Sequence, residues 1–337
     1  MKEHDPIATR RARTLSRRDL LQRGGAVWAM LAVSQAAFAS DRYPSRPIRL
    51  IASATPGGGI DILARLIAPS LSQRLGQPVV VDNKAGGNGI IGGQYVANAA
   101  PDGYTLLVAF DGTMSIMPAL GMKMNFDPFT EVVAVTKLAD AQALLAVHPS
   151  VQARNFRELK ELSAKRPLGL GFAGAGSRAH LIGELLKSMG FNVVPVPYKG
   201  GGPAMQDAVG GQVQMVITSI AAAKPLIASG KLNGFAVTGT SRSPQLQEVP
   251  TFTEAGLDGF NDNGWYALYA TKGTPQDVVN YVRQQVVAVI AEPQIRSRML
   301  ELGLLPAGGT PQELTNEMTT GRDKWGAVAR KADVHIE

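Results

Sequence analysis

Ser177 and His180 are the residues of this chain whose types could supply a nucleophile and its base. They lie in the segment GAGSRAH, residues 174–180, after a predicted strand. The elbow of hydrolases requires Gly-x-Ser-x-Gly, whereas residues 175 and 179 are both alanine. Residues three apart in a new helix share one face, so Ser177 could instead cap the helix and offer its hydroxyl to a ligand oxygen. A ligand-binding loop, a simple helix cap and a nucleophile remain open at this point.

A second candidate is the glycine turn TPGGGID at residues 55–61, which follows the apolar run 47–52. Its glycines allow positive φ and close approach of a ligand to the backbone. The first N–H groups of the helix that follows have no intrahelical acceptor, which suits a carboxylate or a phosphate. These residues alone fit a ligand loop and a purely structural turn equally well.

The segment GNGIIG at residues 87–92 matches the dinucleotide pattern G-x-G-x-x-G, with Asp111 about 20 residues further on. Polar residues 83–85 separate the preceding strand from these glycines, and the chain already has another glycine turn of the same use. We therefore expect a ligand-facing turn here and no bound cofactor.

A further glycine loop, YKGGGP at residues 198–203, also follows a strand, and its Lys199 could be a solvated charge or could hold an anion. After the leader the chain has three histidines, His148, His180 and His335, without partners at metal-ligand spacing. We expect no metal. Trp265 and Tyr266 lie in an apolar strand and are either core or pocket wall, and we interpret them as core.

Short apolar runs alternate with helical patterns, which predicts βα units and α/β architecture with mainly parallel sheets. The predicted strands are residues 48–53, 79–82, 105–110, 143–147, 168–172, 193–197, 215–218, 234–238 and 264–270. The predicted helices are residues 63–75, 92–98, 157–165, 180–189, 205–210, 222–229, 275–291 and 310–320. Glycine turns at the carboxyl ends of parallel strands, without a catalytic set, describe a pocket that binds.

The N-terminus has the character of an export leader. Of the formal net charge of +7, residues 1–39 carry +4, so the remaining chain shows no basic surface and no nucleic-acid partner is expected. The leader has an apolar region at 24–38 and a small-residue site that predicts cleavage near Ala39. SRRDLLQ at 16–22 resembles a twin-arginine signal, with general secretion as the alternative. The absence of cysteine excludes disulfides and thiolate chemistry.

Several blocks of the sequence together resemble the Bug family, the periplasmic solute receptors of tripartite tricarboxylate transporters. They are PGG with Asp61, PDGYTL at 101–106, the 174–180 loop followed by Gly183 and Glu184, YKG at 198–200 with PAM at 203–205, GGQV at 210–213, VPTF at 249–252 and EAG at 254–256. The blocks occur in the family's order along nearly all of the exported chain.

The resemblance implies a two-lobed periplasmic-binding-protein fold of type II, the Venus flytrap, in which two mainly parallel sheets close on a small carboxylate. It places lobe one at 41–138 plus 240–337 and lobe two at 139–239, after a leader at 1–39. It further implies a periplasmic monomer that delivers its ligand to integral-membrane permease subunits.

Position by position, the resemblance and the loops above predict these ligand-binding residues: Thr55, Pro56, Gly57, Gly58, Asp61, Asn83, Gly87, Asn88, Gly89, Asp111, Gly174, Gly176, Ser177, His180, Tyr198, Lys199, Gly200, Thr218 and Ser219. No catalytic residue is assigned. The chain departs from the family at Ala54, where an aromatic is frequent, at Ile60, where threonine is common, and at Asn88, which interrupts a glycine run. Ligand identity is therefore not inherited. An exported hydrolase using Ser177 and His180, and a ligand-sensing module for a signalling partner, are the alternative functions.

Overall fold

The computed structural model describes residues 43–174 and 176–331, so the predicted leader and Ala175 lie outside the described residues. Strands β1 to β11, in chain order, are Ile48–Ala52, Val79–Asn83, Thr105–Phe110, Val132–Ala141, Ala143–Val147, Leu168–Ala173, Val193–Tyr198, Met215–Ser219, Asn233–Val237, Gly264–Thr271 and Leu304–Gly308. The longer helices, α1 to α9, are Gly59–Leu75, Ile90–Ala97, Phe156–Lys165, Arg178–Ser188, Gly201–Val209, Ile220–Ala228, Gln276–Ile290, Pro293–Glu301 and Pro311–Lys331. Shorter helical turns lie at Gly87–Gly89, Gly112–Ile116 and Met117–Ala119.

The strands form two sheets. The first has six strands in the order β11-β4-β10-β3-β1-β2, and the second has five in the order β7-β6-β8-β5-β9. We call the part of the chain built on the first sheet lobe one and the part built on the second sheet lobe two. Successive residues are buried in β3 of the first sheet and in β5 of the second sheet, which explains why these two sequences are apolar runs rather than alternating ones.

Both sheets are mixed, and in each of them most strands run in one direction, as expected for mainly parallel sheets. In lobe one β1 runs parallel to β2 and β3, but β10 is antiparallel to β3 and β4, and β11 is antiparallel to β4. In lobe two β6 runs parallel to β7 and β8, but β5 is antiparallel to β8 and β9. In lobe two β5 alone runs against the other four strands, and in lobe one β10 and β11 run against the other four. The strands β5 and β10 are those that directly follow a passage of the chain from the other sheet.

All nine predicted strands are present, with ends within a residue of the prediction. The sequence analysis missed β4, which carries Lys137 and Asp140, and β11, which carries Pro306 at the edge of its sheet. Helix α8 was also missed. Charged residues and an edge proline break the apolar patterns on which the predictions depend.

The chain passes between the sheets at Gln142, which separates β4 from β5. After β9 it continues along lobe two, where Leu246 and Val249 join one hydrophobic cluster and Phe252 and Phe260 join another. The predicted return to lobe one at residue 240 stays a prediction, and this packing favours a return nearer to the start of β10. Helix α9 packs on β4 of lobe one and on α4 of lobe two.

Candidate functional site

Two cavities with common walls lie where the ends of the two sheets face each other. The main chamber measures about 870 Å³, and the second, which we call the glycine-loop chamber, measures about 510 Å³. Gly59, Phe110 and Tyr266 line both chambers and therefore form the waist between them. The strand register explains this position, because Tyr266 at the start of β10 pairs with Phe110 at the end of β3.

Thirteen of the predicted ligand-binding residues line these chambers. The main chamber is lined by Gly57, Gly58, Asp111, Ser177, Thr218 and Ser219. The glycine-loop chamber is lined by Thr55, Gly87, Asn88, Gly89, Gly174, Tyr198 and Lys199. The other six, which line neither chamber, are Pro56, Asp61, Asn83, Gly176, His180 and Gly200.

The first residues of four helices line the main chamber. They are Gly59 of α1, Arg178 of α4, Gly201 of α5 and the N-cap Ser219 of α6. Ser177 and Ser219 cap their helices, accepting hydrogen bonds from the N–H groups of His180 and Ala222 at 3.3 and 3.4 Å. Each helix start adds a partial positive charge, so the cleft attracts an anion from both lobes without a free cation in the main chamber.

Asp61 and Asn83 hold the first glycine turn from behind. The buried Asp61 carboxylate accepts hydrogen bonds from Gly57 N–H at 2.9 Å, Asn83 Nδ2 at 2.9 Å and Arg65 Nε at 2.8 Å. Asn83 Nδ2 also donates to the Ala54 carbonyl at 3.0 Å. Burial raises the pKa of Asp61, but the hydrogen bonds from Gly57 and Asn83 and the Arg65 charge outweigh it and hold the pKa below its usual value. The Asp61 carboxylate is therefore ionised and fully engaged in hydrogen bonds that hold the glycine turn.

The second glycine turn has positive φ at four successive residues, Gly86 through Gly89, with Asn88 the one non-glycine among them at φ 51°. Asparagine tolerates this left-handed conformation better than most residues. Thr113 Oγ1 donates to the Asn88 carbonyl at 2.7 Å and fixes the turn. Gly92, the last glycine of the dinucleotide pattern, packs against Ser53, where an added Cβ would lie 2.8 Å from the serine Cβ. A glycine is needed at position 92 because helix α2 packs closely against the residue that follows β1.

Ser177 and His180 do not form a nucleophile and base. His180 Nδ1 accepts a hydrogen bond from Gly176 N–H at 3.2 Å, and Nε2 faces Glu184 Oε1 at 3.7 Å. The ring stacks on Phe172 with 5.0 Å between centroids, and burial lowers the pKa of His180. Both imidazole nitrogens thus face groups other than the Ser177 hydroxyl. The serine caps α4, as one of the three sequence interpretations proposed.

Asp111 belongs to an ionic network at the main chamber, in which Asp111 is buried, Arg178 is mostly buried, and Asp262 and Lys324 are partly exposed. Arg178 donates from Nε to Asp111 at 2.5 Å and from Nη1 to Asp262 at 2.7 Å, while Lys324 of α9 also donates to Asp262. Burial raises the pKa of Asp111 despite the Arg178 charge. Because Arg178 occupies its carboxylate, Asp111 does not have the freedom to bind a ribose as the dinucleotide interpretation required.

Lys199 and Tyr198 stand on the lobe-two side of the glycine-loop chamber. Tyr198 donates its hydroxyl to Asp207 at 2.6 Å, and this hydrogen bond raises the pKa of Tyr198 to about 12. Lys199 is exposed, and within 43–174 and 176–331 it makes no ion pair. The chamber thus presents one available cation to a ligand.

Two kinds of feature are absent from the described part of the chain, a cluster of metal ligands and a membrane-spanning helix. That part contains no group of three or more His, Asp or Glu side chains placed to hold a metal ion. None of its helices has the length and apolar character needed to cross a membrane.

The sequence matches a family model over most of its length. Residues 63–334 match the tripartite tricarboxylate transporter family receptor. The chain belongs to this family. Protein BugT of Bordetella pertussis is 32% identical over 306 residues, which cover 88% of this chain and 93% of BugT. The resemblance to the Bug receptors is thereby confirmed.

Solved structures of similar proteins have the same two-lobed fold. A periplasmic transporter with 39% identity has a TM-score of 0.79 and covers 88% of this chain and 100% of its own. Rpa4515 of R. palustris, solved with adipate, is 34% identical with a TM-score of 0.78, covering 86% and 98%. MatC of Rhodopseudomonas palustris, solved with malate, is 30% identical with a TM-score of 0.75, covering 85% and 99%. This receptor therefore has the periplasmic-binding-protein fold predicted from its sequence.

Sequence reasoning missed several residues that line the chambers of this receptor. They are Phe110, Gln142, Gly201, Gly202, Met205, Leu226 and Tyr266. Trp265 is 2% exposed and belongs to the lobe-one core as interpreted, although it also lines the main chamber. Tyr266 is a wall of both chambers. The sequence signal for Tyr266 was its place at residues 264–266, where a strand begins directly after a polar loop. Only the antiparallel register shows that this start of β10 lies opposite the end of β3.

Proposed function

We propose that this receptor captures a small carboxylic acid between its two lobes and delivers it to the membrane permease of a tripartite tricarboxylate-type transporter. The observation that carries the proposal is the convergence of four helix starts on one interlobe chamber. A carboxylate placed there would accept hydrogen bonds from backbone N–H groups of both lobes. Because the carboxylate would bind the closed state of the receptor more tightly than the open state, it would favour closure of the lobes.

The ligands of two relatives support the carboxylate class. Rpa4515 was solved with adipate and MatC with malate, and both share at least 30% identity with this chain over most of its length. The two acids differ in size and in polar groups, so the feature they share is the carboxylate group. We propose that this receptor also binds a carboxylate, and we assign it neither of the two acids.

The predicted site residues divide into two roles under this proposal. The residues that line the chambers contact the ligand or its waters, with Lys199 as the available cation. Asp61 and Asn83 act as positioning residues, because their hydrogen bonds go to the loop that carries Gly57 and Gly58. His180 and Gly176 stabilise the start of α4 in the same way.

We propose that the receptor has no catalytic activity, and the geometry of Ser177 and His180 supports this. The variant Ser177→Ala distinguishes a receptor from a hydrolase when ligand affinity and ester turnover are both measured. A receptor loses about 1 kcal/mol of binding free energy, the value of one hydrogen bond, and keeps its ligand unchanged. Loss of ester turnover in this variant, from a wild type that shows turnover, would contradict the proposal.

The proposed place of action is the periplasm, as a monomer, after export by the twin-arginine route and cleavage near Ala39. Replacing Arg17 and Arg18 together by lysine should retain the precursor in the cytoplasm, which cell fractionation measures. Normal export of this variant would favour general secretion instead.

A thermal-shift screen of the exported chain tests the function. The panel contains mono-, di- and tricarboxylates, with neutral sugars as the control. A true ligand at 100 times its Kd stabilises the fold by about 2.7 kcal/mol. Stabilisation by sugars and by no carboxylate would overturn the proposal.

A further inference from the structure

The main chamber continues into lobe two as a hydrophobic pocket between α5 and α6. Met205 and Val209 line it from α5, Ala222 and Leu226 from α6, and Ile217 from β8. Met205 and Ile217 are 8% and 4% exposed, so their side chains are fixed in the surrounding core. We call these five residues the hydrophobic pocket. The polar side chain beside it, Gln206, is uncharged.

The charged groups of the main chamber are already paired. In its described lining they are Asp111 and Arg178, which hydrogen bond to each other. Arg178 is also bound to Asp262, and its side chain is 11% exposed. The available cation, Lys199, lines the other chamber, beyond the waist at Tyr266. A second carboxylate in the hydrophobic pocket would therefore lose its hydration without gaining a cation.

The main chamber has room for more than a carboxylate group. Its volume of about 870 Å³ lies near the upper end of the range of about 300–1,000 Å³ for small-molecule sites. A ligand held by its carboxylate at the helix starts would leave the pocket between α5 and α6 empty unless it carried a hydrophobic part.

We propose that the carboxylate ligand of this receptor carries an uncharged hydrophobic body, an alkyl chain or an aryl ring, which occupies the pocket formed by Met205, Val209, Ile217, Ala222 and Leu226. This inference rests on the proposed carboxylate-binding function and adds the class of acid. It separates this receptor from a carrier of short polar di- or tricarboxylates.

Isothermal titration of the exported chain with two matched series of acids tests the inference. The first series is butanoate, hexanoate and octanoate, and the second is succinate, adipate and suberate, which have the same lengths and a second carboxylate. Each added methylene in the first series should tighten Kd about fourfold, the factor given by about 0.8 kcal/mol per buried methylene. Hexanoate should bind at least about tenfold more tightly than adipate.

Leu226→Gln links the effect to the pocket, with Ile62→Gln as its matched control on α1, where Ile62 is 39% exposed and lines neither chamber. Leu226→Gln should weaken octanoate by about tenfold and leave butanoate within about twofold, while the control changes neither. If Leu226→Gln does not fold, Val209→Thr provides a nearly isosteric second variant with the same expected direction.

Three results would overturn the inference. Tighter binding of adipate than hexanoate, without a gain along the first series, would reject the hydrophobic body and leave the carboxylate function intact. An equal loss of butanoate and octanoate binding in the pocket variants would show that the chain does not enter this pocket. Failure of both series, at concentrations where another compound binds, would reject the function and the inference together.

Discussion

Tyr266 is the residue at which the two chambers meet, and its hydroxyl makes no hydrogen bond within residues 43–174 and 176–331. The phenol lies so close to Gly59 that a Cβ there would be 2.7 Å from the Tyr266 hydroxyl oxygen. Burial raises the pKa of Tyr266 to about 12, so the hydroxyl is a proton donor at neutral pH. A donor at the waist is well placed for a ligand oxygen.

Tyr266→Phe should therefore weaken ligand binding by about 1 kcal/mol, close to fivefold in Kd, without loss of fold stability. Tyr269→Phe is the matched control, because it removes a hydroxyl from the same strand that is buried without a partner and lines neither chamber. Titration calorimetry with the best acid of the screen measures both. Equal affinity of Tyr266→Phe and wild type would remove this hydroxyl from the site.

Asp61 gives the first glycine turn a dependence on pH. Its pKa is lowered in the folded chain, so its contribution to stability is present above the unfolded value of about 3.9 and is lost as the pH falls through the folded pKa. Asp61→Asn should lower the free energy of unfolding by about 1–3 kcal/mol at pH 7. Urea denaturation should show the gap between wild type and variant narrowing below about pH 4. A constant gap would show that the carboxylate charge does not brace the turn.

At the scale of elements, strand and helix positions followed from the sequence where apolar patterns were uninterrupted. The run at β1 and the glycine turn after it are local features, and the chain forms the predicted strand, turn and helix there, although α1 begins at Gly59 rather than at residue 63. β4 and β11 were missed because Lys137, Asp140 and Pro306 interrupt their patterns. The reversed directions of β5, β10 and β11 were not predicted, because strand direction depends on which distant segment becomes the neighbour and no local pattern records that.

Helix α9 is the element that belongs to both lobes. Its Leu314 and Met318 join the lobe-one core, and its Trp325 and Ala329 join a cluster with lobe-two residues. Trp325 is 1% exposed and lies 4.9 Å below the Arg178 guanidinium. The helix therefore connects the lobe that carries α1 with the lobe that carries α4.

Trp325→Ala should lower the free energy of unfolding by about 3–5 kcal/mol, because it leaves a cavity in that shared cluster. Trp325→Phe should cost clearly less, since it keeps an aromatic ring and removes an indole N–H that is buried without an acceptor in the described part of the chain. Chemical denaturation monitored by circular dichroism compares the two. Similar stability of Trp325→Ala and wild type would show that α9 does not support the interlobe core.

At the scale of the whole molecule, the ionic network joins the lobes across the floor of the cleft. Arg178 of lobe two binds Asp111 at the end of β3, and Asp262 binds both Arg178 and Lys324. Sequence reasoning placed Asp111 in the site but not in an ion pair, because its partner is 67 residues away in the chain. The thirteen predicted residues that line the chambers came from local loop chemistry and from the resemblance. Four of the six others, Asp61, Asn83, Gly176 and His180, make hydrogen bonds that hold the loops instead of lining a chamber.

Arg178→Gln should destabilise the fold by about 3–5 kcal/mol, because it leaves the buried Asp111 carboxylate without its partner. Adding Asp111→Asn should restore part of that loss, since the double variant contains no unpaired charge at this position. Urea denaturation of the four proteins in the cycle gives the coupling energy. Additive losses would mean that the pair does not act as a unit between the lobes.

The central claim is that the cleft selects a carboxylate through the helix starts that line it. Titration calorimetry with hexanoate and hexanamide tests it most directly, because the two compounds share shape and length and differ in the charge of the head group. Hexanoate should bind at least about tenfold more tightly than hexanamide, because hydrogen bonds to charged acceptors are stronger than those to neutral ones. Equal or tighter binding of hexanamide would contradict the claim.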